Sequence, residues 1–250
     1  HPALWLGPTS LFPAANGPLG STSPFEPTLL SLLAALRPAF LRVPGGCYTE
    51  GDTQAHAFAW RTAVAPPLAR PGHWNGVWGY WSTDGLGPLE YLSLAEALGA
   101  APLWVAPTGV AHGDGLPPGG VAAVVADVLG LLEFALGDAA TTQGGAARTA
   151  AGRAAPFPLF KLALGNEGCG KPGYAAAAAS MATAVRLAYP QVSLVVDCDP
   201  AGGRAGWRRR AAALPAPPPG GPARRRTRGT GTGIPPRTRC LRRAWPGWRP

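Results

Sequence analysis

Phe157-Pro158-Leu159-Phe160-Lys161-Leu162-Ala163-Leu164-Gly165-Asn166-Glu167 is the stretch on which the fold turns. A short apolar run that halts at glycine and leads into a helical pattern reads as a buried parallel strand. Residues just past such a strand stand at the carboxyl end of the sheet, where α/β barrels carry their chemistry. An Asn beside a Glu suits acid/base work on a sugar, because the amide can hold a hydroxyl while the carboxyl handles a proton. The alternative is a loop Glu that caps the following helix. For the pair taken alone, the two readings are evenly matched.

Outward from this stretch, strand and helix signals alternate. Pro27 to Arg37 carries Leu29, Leu30, Leu32, Leu33 and Leu36 at helical spacing and is closed by Pro38. Ala39 to Val43 reads as a strand stopped by Pro44-Gly45-Gly46, and a long aromatic loop runs on to Asp84. Helices are predicted over 85–99, 121–136 and 174–189, and strands over 101–106, 159–164 and 192–197. Gly99 is placed to stop its helix. Such a rhythm argues for a parallel sheet with right-handed crossovers. An open doubly wound sheet would want a glycine-rich phosphate loop after an early strand, and Pro44-Gly45-Gly46 is no GxGxxG. The fold class expected is therefore α/β, a partial (β/α)8 TIM barrel of about four βα units followed by a disordered basic tail. Residues 1–200 make the barrel portion and 201–250 the tail.

Charge draws the same boundary. Residues 1–200 hold 9 Lys+Arg against 13 Asp+Glu, whereas 201–250 hold 13 Arg and no acid, so the net +9 belongs to the tail. That segment is Arg, Pro, Gly and Ala with scattered Trp and has no apolar period able to offset chain entropy. A basic arm for RNA or anionic polysaccharide and a linker are two readings of it. An out-of-frame translation of a GC-rich gene is the favoured third, since the change follows abruptly on a well-formed strand. Nucleic acid is accordingly not expected as a partner. The start, His1-Pro2-Ala3, lacks an initiator Met and a signal-type run, so the chain is expected to be truncated there. The compartment stays open; an extracellular or cell-wall location follows if the full-length protein carries a signal peptide. No stretch approaches the roughly 18 apolar residues of a membrane span. Cys47, Cys169, Cys198 and Cys240 show neither a CxxC pair nor zinc-ligand spacing and declare no disulfide framework. No metal and no cofactor is expected.

Three longer motifs carry a resemblance. Leu41-Arg42-Val43-Pro44-Gly45-Gly46-Cys47-Tyr48-Thr49-Glu50-Gly51, the aromatic stretch from Arg70 through His73-Trp74-Asn75-Gly76-Val77-Trp78 to Gly87, and Leu164-Gly165-Asn166-Glu167 with Cys169-Gly170-Lys171 stand in order and register. Together they resemble the α-L-arabinofuranosidases of glycoside hydrolase family 51, over about Ser10 to Asp199. The resemblance implies a retaining glycosidase on a (β/α)8 barrel with an appended β-sandwich, removing terminal arabinofuranose from arabinans and arabinoxylans. It also implies roles. Glu167 resembles the general acid/base, Asn166 the residue that holds the sugar 2-hydroxyl, and Arg42 the strand-two arginine that fixes carboxylates and sugar. Cys47 matches a position lining the sugar pocket, with a buried packing thiol as the alternative.

Trp74 and Trp78, with Tyr80 and Trp81, lie in a loop suited to docking sugar rings on aromatic faces, against the alternative of loop packing. Glu50 is taken as structural, Glu90 and Glu96 as a helix face, and His73 and His112 as solitary loop hydrogen-bonders. The expected partner is an arabinose-containing polysaccharide or oligosaccharide, with oligomerisation open for the full-length protein. Departures accompany the matches. Gly168 stands where relatives often carry an acid, Val105-Ala106-Pro107-Thr108-Gly109 lacks their Asn, and residues 141–155 look eroded toward Ala, Gly and Thr. The family's nucleophile is a Glu on the seventh strand, and 201–250 contain none. The chain of 250 residues is therefore expected to be inactive by itself. A catalytically dead carbohydrate-binding remnant is the class alternative, and a nucleic-acid binder through the tail a further one.

Overall fold

The protein is described by a computed structural model covering residues 25–196, except Asp114, Pro118 and Phe160. The expectations for the chain start and for the tail at 201–250 lie outside these residues.

Helix α1 (Pro27–Ala35) opens with proline in its first turn, and the Glu26 carboxylate accepts the Leu29 N–H at 2.7 Å. Strand β1 (Phe40–Val43) follows. The stretch read as a long loop contains a hairpin, β2 (His73–Asn75) and β3 (Tyr80–Ser82), with Trp74 directly opposite Trp81. The register sets the two indoles opposite each other and Trp78 stacks on Tyr80 beside the turn, a pattern too short to separate from loop by period alone. Helix α2 (Pro88–Ala97) begins where the Glu90 carboxylate accepts the Gly87 N–H at 2.7 Å. Strand β4 (Ala101–Ala106) and helix α3 (Gly120–Leu136) come next.

The eroded segment is also structured. Helix α4 (Gln143–Ala150) starts on Thr142, whose hydroxyl accepts the Gly145 N–H at 3.0 Å. Its Arg148 is buried and donates to the Phe134 and Ala154 carbonyls at 2.7 and 2.9 Å. Gly144 lets α4 approach α3 closely, since a Cβ there would stand about 2.5 Å from the Glu133 and Phe134 backbone. Strand β5 (Lys161–Leu164), helix α5 (Tyr174–Ala188) and strand β6 (Ser193–Val196) complete the described chain.

The four long-range strands form one parallel sheet in the order β1-β4-β5-β6. Chain order and spatial order coincide, as in a barrel wall that grows by one βα unit at a time. Trp104, Leu162 and Leu164 from the sheet meet Val128, Leu131 and Phe134 of α3 and Met181 and Val185 of α5 in a closed apolar core. Each fully buried aliphatic side chain there contributes about 1.5–3 kcal/mol. The ends of this wall are different. Among the described residues, strands β1 and β6 each have one sheet neighbour and α1 buries none of its side chains: Leu36 is 75% exposed, and Leu29, Leu32 and Leu33 are exposed as well. A helix so apolar in sequence and so uncovered is an incomplete interface.

Candidate active site

Parallel packing brings the carboxyl ends of β1, β4 and β5 to one rim, and the loop after each carries the motif residues. At the end of β5 the Gly165 N–H still bonds the Ala106 carbonyl at 2.8 Å, and the backbone then turns at φ +84°. Asn166 is buried, whereas Glu167 is exposed and held at φ +50°. A non-glycine residue in that region costs about 1–2 kcal/mol, a strain that persists where surrounding contacts impose it. The imposition is visible. The Tyr174 hydroxyl donates to the Leu164 carbonyl at 3.0 Å, and the ring lies so close over Gly168 that a Cβ there would come within 2.5 Å of Cε2. Gly168 is the residue that lets Tyr174 seal the turn.

Arg42, on β1, reaches across the mouth of β4 to donate from Nη2 to Asn166 Oδ1 at 2.8 Å. The other end of the same amide donates from Nδ2 to Glu50 Oε1 at 3.4 Å. Glu50 is 3% exposed, and the same carboxylate oxygen lies 3.3 Å from His112 Nε2 and 3.7 Å from Lys171 Nζ. The loop after β4 is fastened to the Glu50 segment through its backbone: His112 N–H donates to Gly51 O at 3.1 Å and Gly113 N–H to Asp52 O at 2.7 Å. His112 is not solitary. A ring nitrogen, the Cys47 sulfur and a Glu167 oxygen all lie within 4.8 Å of one another.

Burial, reinforced by the Lys171 ammonium, lowers the His112 pKa, with Glu167 and Asp52 opposing it. The Glu50 contact has ion-pair distance, but the desolvated imidazole is neutral at pH 7, so it counts as a polar contact of the neutral ring.

Cys47 and Cys169 are both disulfide-bonded, which corrects the expectation of isolated cysteines. Cys47 therefore carries no thiol proton, and its approach to Glu167 Oε2 at 3.9 Å is a packing contact. The same bond removes the thiolate that a metal bound by Cys47, His112 and Glu167 would need, so this donor set does not fit a metal ion.

The hairpin is held over this rim by a buried polar cluster. The Asp84 carboxylate accepts from Tyr48 Oη at 2.7 Å and Ser82 Oγ at 3.0 Å and faces His73 Nδ1 at 2.9–3.1 Å. Burial works against the carboxylate, but these hydrogen bonds outweigh it and keep its pKa below the ordinary aspartate value. Arg70 ties the base of the hairpin to α2 through Glu90 at 2.7 Å and to the Asp84 and Gly85 carbonyls at 2.8 and 3.0 Å. The result positions Trp78. Its ring stacks on Tyr80 with centroids 6.2 Å apart and lies about 3.2 Å from where a Cβ on Gly46 would stand, one residue from Cys47. A side chain at 46 would displace the indole. Trp78, Tyr80, Tyr48, Tyr91 and Ser82 line an open cleft of about 460 Å³. Trp74, paired with Trp81, is half-exposed on the hairpin and does not line that cleft.

Of the residues singled out from sequence, Arg42, Cys47, Asn166 and Glu167 converge on one rim, with Trp78 beside them. Sequence reasoning missed the Glu50, His112 and Lys171 group. Its signal was a lone acid inside the Gly46–Gly51 motif; the pairing that gives it meaning spans the loops after three strands.

Known proteins resemble this chain in sequence and in fold. The sequence pattern described as the α-L-arabinofuranosidase 1 domain matches residues 32–204. The chain belongs to that family. α-L-Arabinofuranosidase 1 of Arabidopsis thaliana is 38% identical over 197 residues, covering 79% of this chain and 28% of the relative. A probable α-L-arabinofuranosidase A of Aspergillus terreus is 35% identical over 185 residues, 70% of this chain and 28% of that protein. Among solved structures, an arabinose-bound family 51 α-L-arabinofuranosidase superposes with TM-score 0.63 at 32% identity, over 68% of this chain and 27% of its own. The arabinose complex of the Thermotoga maritima α-L-arabinofuranosidase shares the fold at TM-score 0.56 and 20% identity, over 69% and 33%. The chain thus spans under a third of these curated relatives' length, and its described wall is the α/β barrel portion of the arabinofuranosidase fold.

Proposed function

We propose that this chain carries the acid/base half of a retaining α-L-arabinofuranosidase that removes terminal non-reducing arabinofuranosyl residues from arabinan- and arabinoxylan-type polysaccharides. The observation that carries the reading is the strand-end constellation in which Arg42 fixes the amide of Asn166 immediately before an exposed Glu167. Glu167 donates a proton to the departing glycosidic oxygen and then activates water on the same face. Asn166 holds the sugar 2-hydroxyl through an interaction that strengthens as oxocarbenium character develops. Arg42 orients that amide, its planar fork making the hydrogen bond directional. Trp78, stacked on Tyr80, offers a face to the sugar beyond the scissile bond. Trp74 belongs to the same hairpin but lies outside the cleft that Trp78 lines.

A retaining displacement needs a second carboxyl about 5–5.5 Å from the first. Glu50 is buried and engaged by Asn166, His112 and Lys171, which unsuits it for attack. The reading assigns the nucleophile to the remainder of a full-length protein and no turnover to the 250-residue chain alone. The experiment is a substrate panel on a full-length protein carrying this segment. Release of arabinose from arabinan and from an aryl α-L-arabinofuranoside, with at least about 100-fold less activity on the corresponding aryl β-D-xylopyranoside, is expected. Equal activity on both sugars, or activity on the xyloside alone, would refute it.

A further inference from the structure

Asn166 has two ends, and the structure accounts for both. An amide that accepts through Oδ1 from Arg42 has its Nδ2 fixed on the opposite side. Nδ2 carries two N–H groups; one is directed at Glu50 Oε1 and the second remains for another acceptor. Flipping the amide would set Nδ2 against the Arg42 guanidinium and Oδ1 against the Glu50 carboxylate, donor to donor and acceptor to acceptor. Arg42 and Glu50 therefore select one amide orientation, and Asn166 meets a ligand as an N–H donor.

Glu50 is itself equipped for this task. At 3% exposure a carboxylate needs countercharge, and the Lys171 ammonium, 3.7 Å away, supplies it. Lys171 Nζ is itself buried and makes no hydrogen bond among the described residues, so its charge is directed at Glu50. His112 closes a further side at 3.3 Å. The Gly51 and Asp52 carbonyls, the next two residues, anchor the His112 loop. A carboxylate that served packing alone would not gather an amide, an imidazole and an ammonium from the loops after two other strands.

We propose that Glu50 is a positioning residue of this site, orienting Asn166 so that its free N–H faces the sugar 2-hydroxyl. The inference rests on the arabinofuranosidase reading, and the test separates the two. In a full-length protein carrying this segment, kcat/KM is measured on an aryl α-L-arabinofuranoside and on its 2-deoxy analogue. The proteins are wild type, Glu50→Ala, Glu50→Gln, Asn166→Ala and the Glu50→Ala/Asn166→Ala pair.

Glu50→Ala is expected to lower kcat/KM on the parent substrate by about 10–100-fold and on the 2-deoxy substrate by less than about 3-fold, the scale of one directed polar contact. Glu50→Gln, which keeps the shape and an accepting oxygen, is expected to show the same selectivity with a smaller loss. The double variant should be no worse on the parent than Asn166→Ala alone, because both changes remove one interaction. Equal losses on the two substrates, or additive losses in the double variant, overturn the proposal. The substrate ratio is internal to each protein, so lowered stability does not mimic it, and Glu50→Gln answers if Glu50→Ala does not fold. If Asn166→Ala itself loses equally on both substrates, the assignment of Asn166 fails. If Asn166→Ala discriminates and the Glu50 variants do not, Glu50 alone is refuted.

Discussion

Gly168→Ala is the smallest change that should break the turn presenting Glu167. The added methyl would sit within 2.5 Å of Tyr174 Cε2 and closer still to Cδ2. Tyr174 cannot simply move aside, because it is 2% exposed and its hydroxyl is bound to the Leu164 carbonyl. Forcing a methyl into a packed site costs about 1–3 kcal/mol, and losing the Tyr174 hydrogen bond adds about 1 kcal/mol, so a loss of about 2–4 kcal/mol is expected. Gly168 is not among the residues with positive φ, so the penalty is one of space and not of backbone conformation. Tyr174→Leu should be destabilising in its own right by about 2–3 kcal/mol through lost ring packing. It also vacates the space that the added methyl needs, so the double variant should be less destabilised than the sum by about 1–3 kcal/mol. Urea unfolding of wild type, both singles and the double in a full-length protein provides the four free energies. A Gly168→Ala change within about 0.5 kcal/mol of wild type, or strict additivity, would refute the packing argument.

Three other outcomes follow from the same structure. Because the His112 pKa is lowered in the folded state, the unfolded chain protonates first as pH falls. His112 therefore contributes stability that is fully present above about 6.5 and is lost as pH drops toward the folded value; Tm against pH between 7.5 and 5 should fall less steeply in His112→Asn than in wild type. Asp84→Asn retains a residue that tolerates φ +53°, so its effect reports the charge and hydrogen bonds that fasten the hairpin; a loss of about 1–3 kcal/mol is expected, with quenched or shifted Trp fluorescence, and unchanged Tm would count against the clamp. Purified residues 1–250, in which β1 and β6 are sheet edges and α1 is uncovered among the described residues, should aggregate or unfold without a reversible two-state transition, and a sharp reversible one would disprove that expectation.

Much of this was legible from residues alone, for identifiable reasons. The four parallel strands announced themselves because each is an apolar run bounded by Gly or Pro, as with Ala101–Ala106 between Gly99 and Pro107. Asn166 and Glu167 stood out because a buried parallel strand leaves its next residues on the carboxyl rim, whereas Arg42, inside β1, was singled out by the family resemblance; the structure sets its guanidinium against Asn166. The hairpin was not, since two three-residue strands have no measurable period and are held by Asp84 contacts 2–36 residues away in sequence. Helix α4 escaped notice because Ala, Gly and Thr carry little amphipathic signal, and its anchor, Arg148, buries its charge against carbonyls of α3 and a following turn. Glu50 and His112 were individually visible but uninterpretable, being 62 residues apart in sequence and 3.3 Å apart in space. The disulfide bonding of Cys47 and of Cys169 likewise left no mark in the cysteine spacing.

The central claim, that Glu167 is the proton donor of a retaining arabinofuranosidase, is tested most directly by Glu167→Gln in a full-length protein assayed on substrates of different leaving-group ability. Arabinan, whose leaving alcohol needs protonation, should lose about 10²–10⁴-fold in kcat/KM. An aryl arabinofuranoside with an acidic phenol should lose far less, because its departure needs little protonation. Added azide should raise its turnover by intercepting a glycosyl-enzyme that no longer has a general base to activate water. Equal losses on both substrates, with no response to azide, would contradict the account and leave Glu167 a structural residue of the strand end.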